Sequence, residues 1–320
     1  MSASVDNSGI IGREVLNYVI VKLLGSGGMG SVYLAENKYI KGSKVAIKVI
    51  NSDMANDFTR KKIKEEAEIL TSLNHPNIVK FLNYQIDDSG TIFLIMQFVE
   101  GTRLDVYIRD FSGLIVEDRI CSFFEPILDA IEYAHQHNVL HRDIKPSNII
   151  ITPEGEPMVL DFGISSIVNE SGQLNDKTVV GTPPYMCPEL IKAESIDKRS
   201  DIYSLGVMLD YMLIGRSPYD LSIMSEAELN EAVVNDPLPR MKVIYPYITD
   251  KMQRIVDKAT AKDPKDRYQS CSEFKRELHR AATPDKRKII LMKLSVPLAV
   301  ALLAAVVSLL VYSNGTCSYY

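Results

Sequence analysis

His141-Arg142-Asp143-Ile144-Lys145-Pro146-Ser147-Asn148 and, further along, Asp161-Phe162-Gly163 bring carboxylates, an amide and a lysine onto neighbouring turns of the chain. Asp161 and Asn148 are hard oxygen donors of the kind Mg²⁺ takes, because that ion keeps several waters and is usually held by one or two carboxylates plus phosphate oxygens. Pro146 forbids a regular helix interior, so Asp143 and Asn148 can project from one loop toward a common centre. There Asp143 would orient a hydroxyl and accept its proton, while Lys145 would neutralise a moving phosphoryl group as a compact point charge. The chemistry these groups suit is phosphoryl transfer, in which positioning and charge stabilisation do most of the work.

Two upstream segments supply what such chemistry lacks. Leu24-Gly25-Ser26-Gly27-Gly28-Met29-Gly30-Ser31-Val32 reads as two apolar strands joined by a glycine-rich turn, where missing Cβ atoms let backbone N–H groups approach phosphate. It has no Gly-Lys-Ser/Thr ending and no following helix, which excludes a Walker loop or a dinucleotide-binding turn. Next comes a buried strand, Val45-Ala46-Ile47-Lys48-Val49-Ile50, whose one lysine is costly among apolar neighbours unless paired. Residues 57–73 have helical apolar spacing (Ile63, Ala67, Leu70, Leu73), and the acid beside that stripe is Glu66, with Glu65 the alternative.

In this order the elements resemble the catalytic domain of eukaryotic-type protein kinases, in particular bacterial membrane-anchored Ser/Thr kinases, over roughly residues 13–280. The matching motifs are Gly25-x-Gly27-x-x-Gly30-x-Val32, Val45-Ala46-Ile47-Lys48, Glu66 ahead of Leu73-Asn74-His75-Pro76, the 141–148 loop and Asp161-Phe162-Gly163. Gly181-Thr182-Pro183-Pro184-Tyr185-Met186-Cys187-Pro188-Glu189, Asp201-Ile202-Tyr203-Ser204-Leu205-Gly206 and Arg267 follow in the same sequence. The resemblance implies an α+β, two-lobed protein kinase fold: a small β-rich N-lobe over about 13–99 and a large helical C-lobe over about 100–280.

It also implies roles. Lys48 would hold the α- and β-phosphates of ATP and pair with Glu66; Asp161 and Asn148 would bind Mg²⁺, with Mn²⁺ as a substitute; Asp143 would be the base and Lys145 its catalytic companion. Leu24, Gly25, Ser26, Gly27, Gly28, Met29, Gly30, Val32 and Ala46 would enclose the nucleotide, and backbone groups of Gln97 and Val99 would meet the adenine. Leu70 and Phe162 would join one apolar column, Glu189 would pair with Arg267, and Asp201 would brace the catalytic loop from below. Lys145-Pro146-x-Asn148, together with Thr182, resembles the Ser/Thr class, so protein Ser or Thr hydroxyls are the expected acceptors. Cys187 in place of Ala, Tyr203 in place of Trp and Arg103 near the ribose position depart from the usual pattern. Between Asp161 and Glu189 the favoured site of an activating phosphate is Thr178, with Arg142 suited to receive it; two copies of the chain would exchange that phosphate in trans. The alternative from another class is a silent pseudokinase scaffold at the membrane, against which the full set Lys48, Glu66, Asp143, Asn148 and Asp161 speaks. Small-molecule phosphorylation is disfavoured by the 181–189 segment, which in related kinases forms the ledge for peptide docking.

Composition agrees. The 320 residues carry a formal net charge of -5 and no basic stripe with interleaved aromatics, which excludes nucleic acid as a partner. The four cysteines stand far apart without metal-ligand spacing in sequence, as in a reduced cytosolic protein. Residues 116–137 form one long amphipathic helix leading into the catalytic loop, residues 200–214 a helix apolar nearly all round, and residues 1–12 have no apolar period and are expected to be disordered. From Leu294 to Tyr312 there is no charged residue, and at 1.5 Å per residue the segment spans roughly 28 Å as a helix, close to the hydrocarbon thickness of a bilayer. A transmembrane helix over 294–312 is therefore expected. Lys286, Arg287, Lys288 and Lys293 in a basic 281–293 linker precede it, placing the kinase domain on the cytoplasmic side of the cell membrane, near anionic lipid, and the short tail 313–320 outside.

Overall fold

The computed structural model describes residues 9–27, 30–50, 57–162 and 183–282. Its first part is a six-stranded antiparallel sheet in the order β1-β2-β3-β4-β6-β5, built from Glu14–Val15, Tyr18–Gly27, Gly30–Asn37, Lys44–Ile50, Phe81–Ile86 (β5) and Ile92–Gln97 (β6). One helix, α1 (Asp57–Ser72), lies against it and buries Ile63, Ala67 and Leu70. The period-2 alternation of strands divides this sheet into two faces. Val45 and Ile47 of β4 join Phe93 and Ile95 of β6 in one apolar cluster on the outer face, while Ile50, Leu94 and Met96 face the rest of the molecule. Lys48 sits directly across from Leu94 and Val32, and Ala46 across from Met96, so Val32, Ala46 and Lys48 share the inward face. A slip of one residue would drive Lys48 into the outer apolar cluster.

The second part is helical. A short sheet of β7 (Thr102–Arg103), β8 (Ile149–Ile151) and β9 (Pro157–Val159) is followed or interleaved by α2 (Leu104–Tyr107), α3 (Glu117–Gln136), α4 (Pro188–Ile191), α5 (Lys198–Ile214), α6 (Glu226–Asn235), α7 (Met241–Ile244), α8 (Asp250–Ala259) and α9 (Cys271–Ala282). Helix α5 is buried on nearly all sides, as its apolar composition requires. Asp197 caps it by accepting from the Arg199 N–H, and Gly206 lets it close on α8: a Cβ there would stand 2.7 Å from both Ala259 Cβ and Thr260 Cγ2. The fold takes in the chain from Ile10 onward, earlier than the disordered stretch expected through residue 12. Gly12 N–H donates to the Ile20 carbonyl and Arg13 N–H to that of Ile10. At the other end α9 runs to Ala282. Among the described residues no helix is long and apolar enough to cross a membrane; the expected span over 294–312 lies outside them.

Two buried charges shape the C-lobe. Arg267 donates from both terminal nitrogens to Glu189, at 2.7 and 2.8 Å, and also reaches the carbonyls of Ala261, Arg199 and Lys262. Burial alone would raise the Glu189 carboxyl, but the hydrogen bonds and charge of Arg267 outweigh it and hold it below its usual value. The guanidinium also stacks 5.0 Å over the ring of Tyr203, which fills the place expected for a tryptophan. Asp210 of α5 is different. It is fully buried, neither carboxylate oxygen meets a donor among the described residues, and burial with the nearby charge of Asp257 pushes its pKa up to about 7.

Two stability predictions follow from these charges. Replacing Arg267 by Met strands the Glu189 carboxylate and lowers unfolding free energy by about 3–5 kcal/mol in urea titrations. For Asp210 the folded state keeps a proton that the unfolded chain has already released, so its contribution to stability falls as pH rises from the ordinary carboxylate range through about 7. Asp210→Asn removes that dependence, and its urea midpoint gains on wild type by the equivalent of about 2–3 kcal/mol between about pH 5 and about pH 8.

Candidate active site

The loop from His141 to Asn148 is fixed from beneath by one carboxylate. Asp201, at the start of α5 and 2 % exposed, accepts from the backbone N–H groups of His141 and Arg142, each at 2.9 Å, and from His135 Nε2 at 2.7 Å. Burial would push this carboxyl up, yet the hydrogen bond and charge of His135, with His141, hold it below its ordinary value. The clamp matters because Arg142 is held at φ 65, a left-handed conformation that a side chain beyond glycine adopts at a cost. Sequence reading found Asp201 but missed His135, whose only mark is a place in the last turn of α3; no local spacing announces a contact that far along the chain.

His141 is buried, donates from Nε2 to the Leu160 carbonyl at 2.9 Å, accepts the Asp143 N–H at Nδ1, and packs against Phe162 with ring centroids 4.8 Å apart. This ties the 141–148 loop to the segment carrying Asp161, which also adopts positive φ, 58°. From the other side, Val159 N–H donates to Asn77 and accepts, through its carbonyl, the Val79 N–H, so β9 is stitched to the connection between α1 and β5.

The polar groups then converge. A turn of 3₁₀ helix at Pro146–Asn148 brings Asn148 Nδ2 to the Asp143 carbonyl at 2.8 Å and to Asp143 Oδ2 at 3.0 Å. Lys145 Nζ sits 2.8 Å from the same Oδ2. Lys48, 7 % exposed, places Nζ 2.7 Å from Asp161 Oδ2. Here the structure departs from expectation. Among the described residues Lys48 pairs with Asp161 rather than with Glu66, and Glu66 lies 3.4 Å from Lys62, one turn earlier in α1. Glu66, Ile69 and Leu70 border a cavity of about 120 Å³ whose other wall is Asn138, Val139, Leu140 and Arg142.

The glycine-rich turn joins β2 to β3, with Gly25 opposite Val32 and Gly27 opposite Gly30. Among the described residues nothing lies within 4 Å of where a Cβ on Gly25 or Gly27 would stand, whereas a Cβ on Gly30, at φ 151, would meet the Val49 carbonyl oxygen at 2.0 Å. Gly28 and Met29 lie outside the described residues, as do Gly163 and the 164–182 segment with Thr178. Leu24 is half exposed on β2, and the Gln97 N–H is taken by the Lys80 carbonyl at the end of β6, just before Val99. Arg103 turns its guanidinium onto Asp105, at 3.0 and 2.7 Å. Cys187 is buried, and burial pushes its thiol up to about 12, which makes it an inert core residue.

A β-rich lobe and a helical lobe, with a strand lysine of the first meeting an aspartate of the second beside a braced Asp/Lys/Asn loop, define the protein kinase fold. The family described as Protein kinase domain matches residues 18–278, and the chain belongs to that family, in its bacterial Ser/Thr branch. It is 35% identical over 283 residues to the serine/threonine-protein kinase PrkC of Bacillus subtilis, covering 87% of this chain and 42% of that protein. It is 33% identical over 285 residues to PknB of Mycolicibacterium smegmatis, covering 85% and 44%. The crystal structure of the Mycobacterium tuberculosis PknI kinase domain superposes with a TM-score of 0.66 at 26% identity, covering 85% of this chain and 98% of that one. The chain thus spans less than half the length of the curated relatives it matches.

The two glycines give a local test. Gly30→Ala forces a clash with the β4 backbone and a disfavoured φ, and costs more than about 1 kcal/mol of N-lobe stability. Gly27→Ala, with nothing in its way, changes stability by less than about 1 kcal/mol; differential scanning calorimetry of the two variants separates them.

Proposed function

We propose that this chain is a serine/threonine protein kinase that moves the γ-phosphate of ATP to Ser or Thr hydroxyls of proteins, and that residues 294–312 anchor it in the cell membrane. The observation that carries the reading is the 2.7 Å contact between Lys48 and Asp161, because it joins a phosphate-seeking cation to a metal-seeking carboxylate across the two lobes. The donor set fits Mg²⁺. Asp161 offers carboxylate oxygens, and Asn148, whose Nδ2 is fixed on Asp143, is left to present its amide oxygen, a hard pair of the kind that ion selects. Held there by Asp161 and Asn148, Mg²⁺ would supply positive charge to offset that of the phosphate groups.

The rest belongs to the protein's own residues. Lys48 turns from Asp161 to the α- and β-phosphates, and Glu66 is the acid that can take its place beside the lysine. Leu24, Val32 and Ala46 cover the base from the sheet side, over the glycine turn of residues 25–30. With the Gln97 N–H already bonded to Lys80, the Gln97 carbonyl and the Val99 N–H are the backbone groups for adenine. Asp143 Oδ2 is held by Lys145 and Asn148, so its Oδ1 would receive the acceptor hydroxyl and take its proton as the new P–O bond forms and the bond from the γ-phosphorus to the oxygen leaving with ADP breaks. Lys145 stands beside that oxygen and offsets charge on the phosphoryl group in transit. A phosphate on Thr178, transferred in trans by a second copy, would be received near Arg142 and order the loop that precedes Glu189. In this reading the catalytic domain occupies about residues 13–280, the basic linker 281–293 lies at the anionic face of the bilayer, and residues 313–320 lie beyond it.

With labelled ATP, Mg²⁺ and a mixed protein acceptor, the wild-type chain transfers phosphate to Ser or Thr. Asp143→Asn lowers kcat by about 10²–10⁴-fold with ATP binding retained, and equal turnover by the two proteins would overturn the assignment. Thr178→Ala gives a protein whose basal rate no longer rises on preincubation with ATP, read by initial rates and phosphosite mapping. Removing 294–312 moves the protein from the membrane pellet to the supernatant.

A further inference from the structure

Helices α3 and α9 pack antiparallel along a seam of polar rungs. Glu132 accepts the Ser272 N–H at 3.1 Å, Asp129 pairs with Lys275 at 2.6 Å, and Glu125 meets His279 Nδ1 at 2.8 Å. The first two rungs are complete pairs of a donor and a carboxylate. The third carries an additional group. Cys121 lies one helical turn before Glu125 on the same face of α3, and its Sγ, a Glu125 carboxylate oxygen and a ring nitrogen of His279 all lie within 4.8 Å of one another.

We propose that Cys121, Glu125 and His279 form a binding site for a divalent zinc-type cation that clamps α9 to α3. The ligand chemistry decides the class of ion. A thiolate, an imidazole and a carboxylate suit Zn²⁺ and its neighbours Co²⁺ and Ni²⁺, whereas Mg²⁺ and Ca²⁺ take oxygen alone. Metal–ligand bonds of about 2.0–2.3 Å place tetrahedral ligands about 3.3–3.8 Å apart, so Sγ would draw in by up to about 1 Å while the Glu125–His279 pair, now at 2.8 Å, would spread by about 0.5 Å. One thiolate and one carboxylate also neutralise the ion's two charges. The His279 side chain is 64% exposed and that of Glu125 20%, which leaves a solvent side for water as fourth ligand.

Binding is balanced by one proton: the S–metal bond forms as the S–H bond breaks, and the proton goes to water. Without a cation, burial and the hydrogen bond to Glu125 push the Cys121 thiol up to about 12; a divalent charge in contact reverses that preference. The site is separate from the nucleotide reading and stands or falls without it.

The test uses the tag-free full-length chain in detergent, stripped with EDTA and titrated with Co²⁺ and then Zn²⁺ in excess Mg²⁺. The expected result is one Co²⁺ per chain, with a thiolate-to-cobalt charge-transfer band and the strong visible bands of four-coordinate Co²⁺, both erased by Zn²⁺. Zn²⁺ at a hundredfold excess over its Kd raises the Tm by about 5–10 °C. Cys121→Ser abolishes the charge-transfer band, and His279→Ala weakens uptake at least about tenfold. If Cys121→Ser does not fold, Glu125→Gln and His279→Ala carry the comparison. Absence of the band, or a band unchanged in these variants, overturns the proposal and leaves Glu125 as an acceptor of two ordinary hydrogen bonds.

Discussion

One buried carboxylate makes the site's irregular backbone stable. A loop that must aim Asp143 and Asn148 at one point cannot be helix or strand, and Arg142 adopts a left-handed conformation within it. Irregular backbone with N–H groups turned inward would be unstable without acceptors. Asp201 supplies both acceptor oxygens, and His135 supplies the donor that keeps the acid ionised while fully buried. Its neighbour Ser200 donates to Glu189 at 2.7 Å, so two adjacent residues at the start of α5 fasten the catalytic loop on one side and the Glu189–Arg267 pair on the other. Helix α5 is thus a strut whose first turn carries charge and whose remainder is mostly apolar, with Asp210 the buried exception.

The N-lobe solves a different problem, the presentation of a buried lysine. Strand alternation forces Lys48 onto the face opposite Val45 and Ile47, and the β4–β6 register sets it over Leu94 with the apolar side of the cleft around its stem. Among the described residues its ion-pair partner comes from the other lobe. That Asp161 meets it at 2.7 Å depends in turn on β9, which Asn77 and Val79 hold against the N-lobe, and on the His141–Phe162 contact behind it.

Elements set by local patterning were readable in the sequence. Helical spacing over 57–73 corresponds to Asp57–Ser72, over 116–137 to Glu117–Gln136, and the apolar run 200–214 falls within Lys198–Ile214. The Glu189–Arg267 pair was legible through resemblance alone, since nothing local links residues so distant. The partner of Lys48 was not legible. Periodicity says that Glu66 lies beside the apolar stripe of α1, but the rotation and height of that helix are tertiary quantities. Here they turn Glu66 toward the 138–142 wall and Lys62. His135 was missed for the same reason, because a histidine at a helix end carries no sign of the carboxylate it will meet. The cysteines likewise have no metal-ligand spacing to one another along the chain; Cys121 gains His279 only when α9 folds back along α3.

Charge pairing in the cleft explains how acids can be crowded there in a protein with net negative charge. Asp143 faces Lys145, Asp161 faces Lys48 and Glu66 faces Lys62, so each carboxylate has its own ammonium and the cluster does not repel itself apart. At part-buried positions the loss of hydration offsets much of the attraction, so a pair can give way where a ligand supplies charges to match. In the proposed reading that is the useful property. There Lys48 would turn to phosphate and Asp161 to the metal, which would keep every charge matched. The Asp143–Lys145–Asn148 cluster would keep its partners in that reading, because Oδ2 already holds both companions. The lobe contact is therefore the movable part of the site and the catalytic loop its fixed part, which is why the loop, and not Lys48, is the element braced by a buried acid.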